Sequence, residues 1–194
     1  MSENAREAIL AAARSAAQLH GYSGINFRSI AEEVGIKNAS IYYHFASKAD
    51  LGAAVAERYW QDTLAMLGEI RGSNTDPLQC LQLYPSIFRK SLKDHNRLCL
   101  SSFMAAEYEK LPDQVSKEVK TYAEVNVRWL ADVLADAGWD VGPACERRAR
   151  AIYSAVAGAQ LIARTSADIN LFDDLMLGYQ EAGLIPAASS ARFP

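Results

Sequence analysis

The three histidines are the side chains of this 194-residue chain that could most readily serve as a catalytic base or a metal ligand. They are His20, His44 and His95, which are scattered along the sequence without metal-ligand spacing. The chain also has no GxSxG segment and no glycine-rich phosphate loop. The residue pattern therefore disfavours an enzyme, and we expect neither a metal nor another cofactor.

A second group of chemically capable side chains lies between residues 28 and 48, within a pattern typical of a helix-turn-helix. Ala31 is small enough for two helices to approach closely, and Gly35 can adopt the backbone angles of a tight turn. The core between the two helices would be formed by Ile30, Val34, Ile36 and Ile41. Because the second helix of this motif enters the major groove, where base edges carry a unique donor and acceptor code, the pattern predicts DNA binding.

This segment resembles the N-terminal signature of the TetR family of transcriptional regulators. The residues that match in order and spacing are Gly21-Tyr22, Ile30-Ala31, Val34-Gly35-Ile36, Ile41-Tyr42-Tyr43-His44-Phe45 and Lys48-Ala49-Asp50-Leu51. The motif match covers about residues 5–60, and beyond it the agreement is mainly in helix pattern. Two departures concern Asn26, where the family often has Thr, and Lys37 with Ala39, where it often has Ser and Gly. The first change keeps a helix cap, whereas the second would shift operator preference and could move the cap of the second helix to Asn38.

The resemblance implies phosphate contacts for Tyr42, His44 and Lys48, whose side chains can donate hydrogen bonds. Base reading would fall to the exposed face of the second helix, which carries Lys37, Asn38, Ala39, Ser40 and Tyr43. Asn38 could pair with an adenine edge and Ala39 could touch a thymine methyl group. Arg28 could reach a guanine or a phosphate, or simply lie on a solvated helix face. Taken alone, Tyr42 and His44 would more often be structural, and Phe45 is expected in the core.

The rest of the chain is predicted to be helix after helix. Gly21 would end the first helix in a left-handed conformation, and Asn26 and Ser47 are suited to cap later ones. The predicted helices cover residues 3–20, 27–34, 38–44, 48–71, 77–92, 96–108, 112–137, 143–166 and 170–183. The expected fold is all-α with about nine helices. By the family resemblance it has a three-helix helix-turn-helix head (residues 1–47), a larger effector-binding and dimerisation domain (48–185) and a loose tail (186–194).

Composition and charge set limits on this interpretation. The formal net charge is −3, and residues 1–51 hold five basic and five acidic side chains, so charge alone does not indicate DNA binding. No apolar run is long enough to span a membrane, and the first residues lack the features of a secretion signal. Three widely spaced cysteines suit reduced thiols better than a disulfide framework. We therefore expect a cytoplasmic protein with no membrane partner.

The second domain contains aromatic and soft side chains with a few polar ones, as a small apolar effector pocket needs. The candidate lining residues are Trp60, Leu64, Phe88, Cys99, Phe103, Tyr122, Asn126 and Trp129. Each could equally belong to an ordinary hydrophobic core. The stretch Arg97–Leu100, followed by Met104–Glu107, is similar to a branch of the family that includes electrophile and quinone sensors. Cys99 would be a reactive sensor if a cation such as Arg97 favoured its thiolate, although a buried inert cysteine is the commoner case.

Small residues recur along one side of the helix predicted for residues 149–166, which would let two helices come close. With residues of the last helix they could build a four-helix bundle between two subunits: Ala151, Ala155, Gly158, Ala159, Ile162, Leu171 and Leu175. Packing within one chain is the alternative, but the family resemblance favours a homodimer. A twofold dimer would present two recognition helices to a near-palindromic operator.

These observations predict a DNA-binding transcriptional regulator. The family resemblance favours a repressor that binds double-stranded operator DNA as a homodimer and is released by a small, mainly apolar effector. The alternative is a small-molecule-binding homologue that has lost specific DNA binding, which the balanced charge of the head keeps open.

Overall fold

The computed structural model describes residues 3–186, and this part of the chain is mostly helical. It contains ten α-helices: α1 (Glu3–His20), α2 (Phe27–Val34), α3 (Asn38–His44), α4 (Lys48–Ser73), α5 (Pro77–Leu83), α6 (Ser86–Lys93), α7 (Leu100–Ala105), α8 (Asp113–Asp136), α9 (Pro143–Ser166) and α10 (Ile169–Glu181). Two 3₁₀ turns, Tyr22–Gly24 and Tyr108–Lys110, precede α2 and α8. Since residues 3–186 contain no β-strand, the predicted all-α class is confirmed. Of the predicted loose tail, residues 187–194 lie outside the described residues.

Most boundaries of the first helices lie where the capping residues predict. Gly21 follows the end of α1 as expected, but its φ of 68° and ψ of −164° lie outside the left-handed helical region that was predicted for it. Asn26 caps α2, because its side-chain oxygen accepts the backbone N–H of Ser29 at 3.1 Å. Gly35 ends α2 in the left-handed region, at φ 74° and ψ 31°. The Ser47 hydroxyl accepts the backbone N–H of Asp50 at 3.1 Å and so caps α4. The prediction that Asn38 could cap α3 is wrong, because Lys37 occupies that position in an extended conformation and Asn38 is already helical.

The helix predicted for residues 77–92 is divided into α5 and α6 at Pro85, which gives one helix more than the nine predicted segments. Proline has no backbone N–H, so it cannot continue the hydrogen-bond ladder of α5. Its carbonyl instead accepts the N–H groups of Phe88 and Arg89, at 3.1 and 3.0 Å, and these bonds begin α6. The next predicted helix, residues 96–108, shortens to α7. His95 and Asn96 both have a φ of 55°, Cys99 precedes the helix at φ −51° and ψ 127°, and a 3₁₀ turn follows from Tyr108.

The chain forms two compact units, each built from two separate stretches. The head unit consists of the residues up to Gln61 together with Cys99–Tyr122, and the body unit consists of Asp62–Leu98 together with the residues from Ala123 onward. Helices α4 and α8 therefore contribute to both units. Buried side chains of the head unit include Ile9, Ala13, Ile30, Ile41, Phe45, Leu51, Leu100, Met104 and Val115. Those of the body unit include Leu67, Leu81, Phe88, Leu130, Leu134, Ile152, Val156 and Phe172.

Candidate nucleic-acid interface

Helices α2 and α3 form a helix-turn-helix whose inner side is buried. The Ile36 backbone N–H donates to the carbonyl of Ala31 at 3.0 Å, which closes the turn around Gly35. Ala31 is buried, as close approach of the two helices requires. Of the four predicted core residues, Ile30 and Ile41 are buried whereas Val34 and Ile36 are half-buried. This packing fixes which face of α3 remains outside.

The outer face of α3 presents the side chains predicted to read bases. Tyr43 is 82% exposed, the largest exposure among its aromatic neighbours, and its ring contacts His44 edge-on at 5.2 Å. Lys37, Asn38 and Ala39 are exposed, whereas Ser40 and His44 are half-buried. The structure therefore brings these six residues together on and beside one short helix.

Tyr42 is anchored through its ring and exposed at the same time. Its ring lies edge-on against the buried Phe27, with centroids 4.9 Å apart, and 55% of the residue is accessible. Arg28 is also exposed and donates to Glu32 one turn later at 3.1 Å. Phe45 is buried, as predicted. An anchored tyrosine ring can present its hydroxyl to a ligand with little loss of side-chain entropy.

Lys48 begins α4, and its side chain makes contacts within the protein in addition to its predicted phosphate role. Its Nζ donates to the carbonyl of Ser23 at 3.1 Å and lies 4.7 Å from the centre of the Tyr22 ring. Partial burial lowers the pKa of Lys48, while the Glu107 carboxylate opposes that shift. One of the three ammonium donors is therefore used internally, and two are left for other acceptors.

Glu107 was not among the residues predicted to act in the head, although it binds the connection between α1 and α2. Its carboxylate accepts the backbone N–H of Tyr22 at 2.8 Å and the hydroxyl of Ser23 at 3.0 Å. No local pattern could indicate this contact, because the partners are 85 and 84 residues apart in the sequence. The available signal was Gly21, which was interpreted only as the end of a helix.

The predicted effector-lining residues divide evenly between the two units. In the head unit, the buried Tyr122 stacks on Tyr59 with centroids 5.4 Å apart, and Trp60 Nε1 donates to Glu118 at 2.8 Å. Cys99 is buried and Phe103 is half-buried there.

In the body unit, the Tyr84 hydroxyl donates to the buried Asn126 at 3.0 Å, and Trp129 stacks on Tyr84 at 5.7 Å. Phe88 is buried beside Tyr84, whereas Leu64 is exposed. The body unit also has an open groove of about 730 Å³ between α8 and α9. Its lining includes Val127, Arg128, Ala131, Cys145, Arg150 and Tyr153, and shares no residue with the predicted set.

The residues predicted for a dimer interface mostly lie on the outside of the body unit. Ala151 and Ile162 of α9 are exposed, and Ala155, Gly158, Leu171 and Leu175 are half-buried. Ala159 is instead fully buried within its own unit. Exposed Leu161 and Leu177 extend the apolar character of these two helices.

The described residues show neither a candidate metal site nor a membrane-spanning helix. Among residues 3–186 no cluster of three histidine, cysteine or carboxylate side chains is arranged to hold a metal ion. In the same range no helix combines the length and apolarity needed to cross a membrane.

The buried helix-turn-helix core and the exposed outer face of its second helix are the features of a helix-turn-helix DNA-binding protein. The family of bacterial regulatory proteins called tetR matches residues 9–55, which include both helices. A TetR transcriptional regulator from Legionella pneumophila, known from its crystal structure, is 31% identical. The match covers 94% of this chain and 98% of that one, with a TM-score of 0.85. The chain therefore belongs to the TetR family of transcriptional regulators.

Two curated relatives are also regulators by name. The transcriptional regulator AcuR of Cereibacter sphaeroides is 25% identical over 140 aligned positions, and the match covers 61% of this chain and 64% of AcuR. The HTH-type transcriptional repressor AcnR of Corynebacterium glutamicum is 26% identical over 127 residues, which are 66% of this chain and 57% of AcnR. This chain thus spans less than two thirds of the length of each of these two proteins.

Proposed function

We propose that this protein is a transcriptional repressor that binds a palindromic operator as a homodimer and is released by a small molecule. The observation that carries the proposal is the outer face of α3, where polar side chains stand exposed on a buried helix-turn-helix core. The name of the relative AcnR favours repression over activation. Because its partner would be chromosomal DNA, the proposed location is the bacterial cytoplasm.

Base reading is assigned to Lys37, Asn38, Ala39, Ser40 and Tyr43, which lie on α3 or its cap. Phosphate binding is assigned to Tyr42, His44 and Lys48, and Arg28 would contact either a base or a phosphate. For Lys48 the two ammonium donors not used by Ser23 remain suitable for a phosphate. Contacts of both kinds are needed, because phosphate contacts position the protein whereas base contacts select the sequence.

The effector would bind in the domain formed by residues 48–185, with residues 1–47 serving DNA recognition. Its proposed contacts are Trp60, Leu64, Phe88, Cys99, Phe103, Tyr122, Asn126 and Trp129, which together favour a small, mainly apolar molecule. For Cys99 the burial favours an inert core thiol over a sensor, since only 1% of the residue is exposed. Arg97 is the cation that would favour a Cys99 thiolate, but its guanidinium donates to Asp94 at 3.1 Å. Because its charge is paired with that carboxylate, this contact also favours an inert thiol.

The dimer would form through α9 and α10. Exposed apolar side chains such as Ile162 and Leu161 give these helices a surface suited to burial, and Gly158 allows close approach. Ala159 would support the interface from behind, because it is already buried in its own subunit. Effector binding would act through α4 and change the separation of the two recognition helices, and a coupling of about 1–3 kcal/mol would suffice for regulation.

The first test is selection of binding sites by the purified protein, followed by salt-titrated binding of the selected duplex to Tyr42→Phe. This variant keeps the ring that packs on Phe27 and removes only the hydroxyl. We expect a palindromic site and a loss of affinity of at least about fivefold in the variant, since each of the two subunits loses one phosphate hydrogen bond. Tyr108→Phe, at another exposed tyrosine, is the matched control and should bind like the wild type.

The alternative function is a small-molecule-binding homologue without specific DNA binding. The balance of five basic and five acidic side chains in residues 1–51 is the observation that favours it. Failure to enrich any duplex at low salt would contradict the repressor proposal and support this alternative.

A further inference from the structure

A carboxylate from a distant part of the chain holds the connection between α1 and α2. Glu107, which directly precedes the second 3₁₀ turn, accepts the Tyr22 N–H with one oxygen and the Ser23 hydroxyl with the other. Hydrogen bonds to an ionised carboxylate are stronger than those between neutral groups. We call this arrangement of Tyr22, Ser23 and Glu107 the clasp.

Gly21 makes room for the clasp. A β-carbon at this position would lie 2.0 Å from the Oε2 atom of Glu107 and 2.9 Å from the Phe103 ring. The φ of Gly21 is 68°, which is also unfavourable for a residue with a side chain. The backbone at the end of α1 therefore approaches the carboxylate as closely as only glycine permits.

Lys48 connects the clasp to the first turn of α4. The ammonium group of Lys48 donates to the Ser23 carbonyl, and its charge interacts with that of Glu107. A second contact joins the same turn to α8, since Gln114 donates to Asp50 at 2.8 Å. The residues between α1 and α2 and the start of α4 are thus fastened to the stretch 107–114.

We propose that Glu107 is a positioning residue for operator recognition. It holds the connection from which α2 starts, and it holds Lys48 through Ser23, so it sets the placement of both the helix-turn-helix and a phosphate-binding lysine. Since α3 is packed against α2, with Ile30 and Ile41 both buried, a shift of the α1–α2 connection displaces the base-reading face as well. This inference rests on the proposed function and adds a residue to it that touches no DNA.

The test compares Glu107→Ala with Glu109→Ala, an exposed glutamate two residues away on the adjoining 3₁₀ turn. Affinity and binding stoichiometry are measured for the selected operator and for an unrelated duplex, at a temperature well below that of unfolding. We expect Glu107→Ala to bind the operator about tenfold more weakly at full stoichiometry, since two hydrogen bonds to a charged group are lost. Binding to the unrelated duplex should change less, and Glu109→Ala should behave like the wild type.

Backbone hydrogen exchange gives a second readout that does not depend on DNA. The Tyr22 amide should exchange faster in Glu107→Ala than in Glu109→Ala, because its acceptor is removed. If Glu107→Ala fails to fold, Glu107→Gln replaces it, which keeps the side-chain volume and one acceptor oxygen but removes the charge. For that variant we expect at least a threefold loss of operator affinity.

The outcomes separate this inference from the function on which it rests. Operator affinity equal to that of Glu109→Ala overturns the positioning role while the repressor function stands. A loss of active fraction, with unchanged affinity in the remainder, also overturns it, because that result marks a purely structural residue. Absence of operator binding by the wild type overturns the proposed function itself.

Discussion

Ala167 ends α9 in the left-handed region, at φ 49° and ψ 30°, where a β-carbon crowds the backbone. Replacing it with glycine should raise the free energy of unfolding by about 0.5–1 kcal/mol, after the greater freedom of glycine in the unfolded chain is deducted. The matched control is Ala65→Gly at an exposed position inside α4, where glycine should instead cost about 1 kcal/mol. Urea unfolding of both variants checks the opposite signs, and destabilisation by Ala167→Gly would contradict the explanation.

Local residue chemistry predicted much of the head from the sequence. Asn26, Gly35 and Ser47 each act on backbone groups within a few positions of themselves, so their roles could be recognised from neighbouring residues. Glu107 could not be recognised in this way, because its partners depend on how the chain returns to α1. The effector site is harder still to predict, since aromatic residues such as Tyr122 and Trp129 suit a pocket and a packed core equally well.

At the scale of helices, an ion pair and a proline contribute to how the body unit is assembled. The guanidinium of Arg89 in α6 donates two hydrogen bonds of 2.7 Å to the carboxylate of Asp173 in α10. The break at Pro85 begins α6 and so contributes to placing Arg89 opposite α10. The sequence predicted α9 and α10 closely but joined α5 to α6, because helical spacing of apolar residues continues across the proline.

The Arg89–Asp173 pair should make stability depend on pH in the acid range. Hydrogen bonds from Arg89 lower the pKa of Asp173 below its ordinary value of 3.8, so the ionised pair favours the folded state. Its contribution is complete above the unfolded pKa and is lost as the pH falls through the lower folded pKa. Asp173→Asn should therefore cost up to about 1 kcal/mol near pH 7, since the pair is partly exposed, and progressively less below pH 3.8.

Asp174→Asn is the matched control, because Asp174 is the exposed neighbour on the same helix. Urea unfolding of the wild type and both variants across the acid range measures the effect. A cost for Asp173→Asn that stays constant between pH 7 and pH 3 would show that the ionised carboxylate is not its source.

At the scale of the whole molecule, operator recognition depends on the proposed pairing of two chains. A charge placed in an apolar interface must be desolvated, so Ile162→Glu should convert a dimer into a monomer at micromolar concentration. Operator affinity should then fall by about tenfold or more, because a monomer contacts only one half-site. Leu83→Glu, at another exposed leucine of the body unit, should stay dimeric. Sedimentation and operator titration measure both effects, and a dimeric Ile162→Glu would exclude Ile162 from the interface.

Residues 99–122 belong to the same compact unit as the helix-turn-helix. The first sixty residues therefore cannot be transferred to another protein as a complete DNA-binding unit. A chimaera that receives only its first sixty residues would lack Glu107 and Gln114, and with them the hydrogen bonds that these two residues make to Tyr22, Ser23 and Asp50. Exchange of specificity between relatives should therefore succeed when both stretches are transplanted together. In this protein a crossover between the two stretches would separate hydrogen-bonding groups that must match, namely Tyr22 and Ser23 from Glu107 and Asp50 from Gln114.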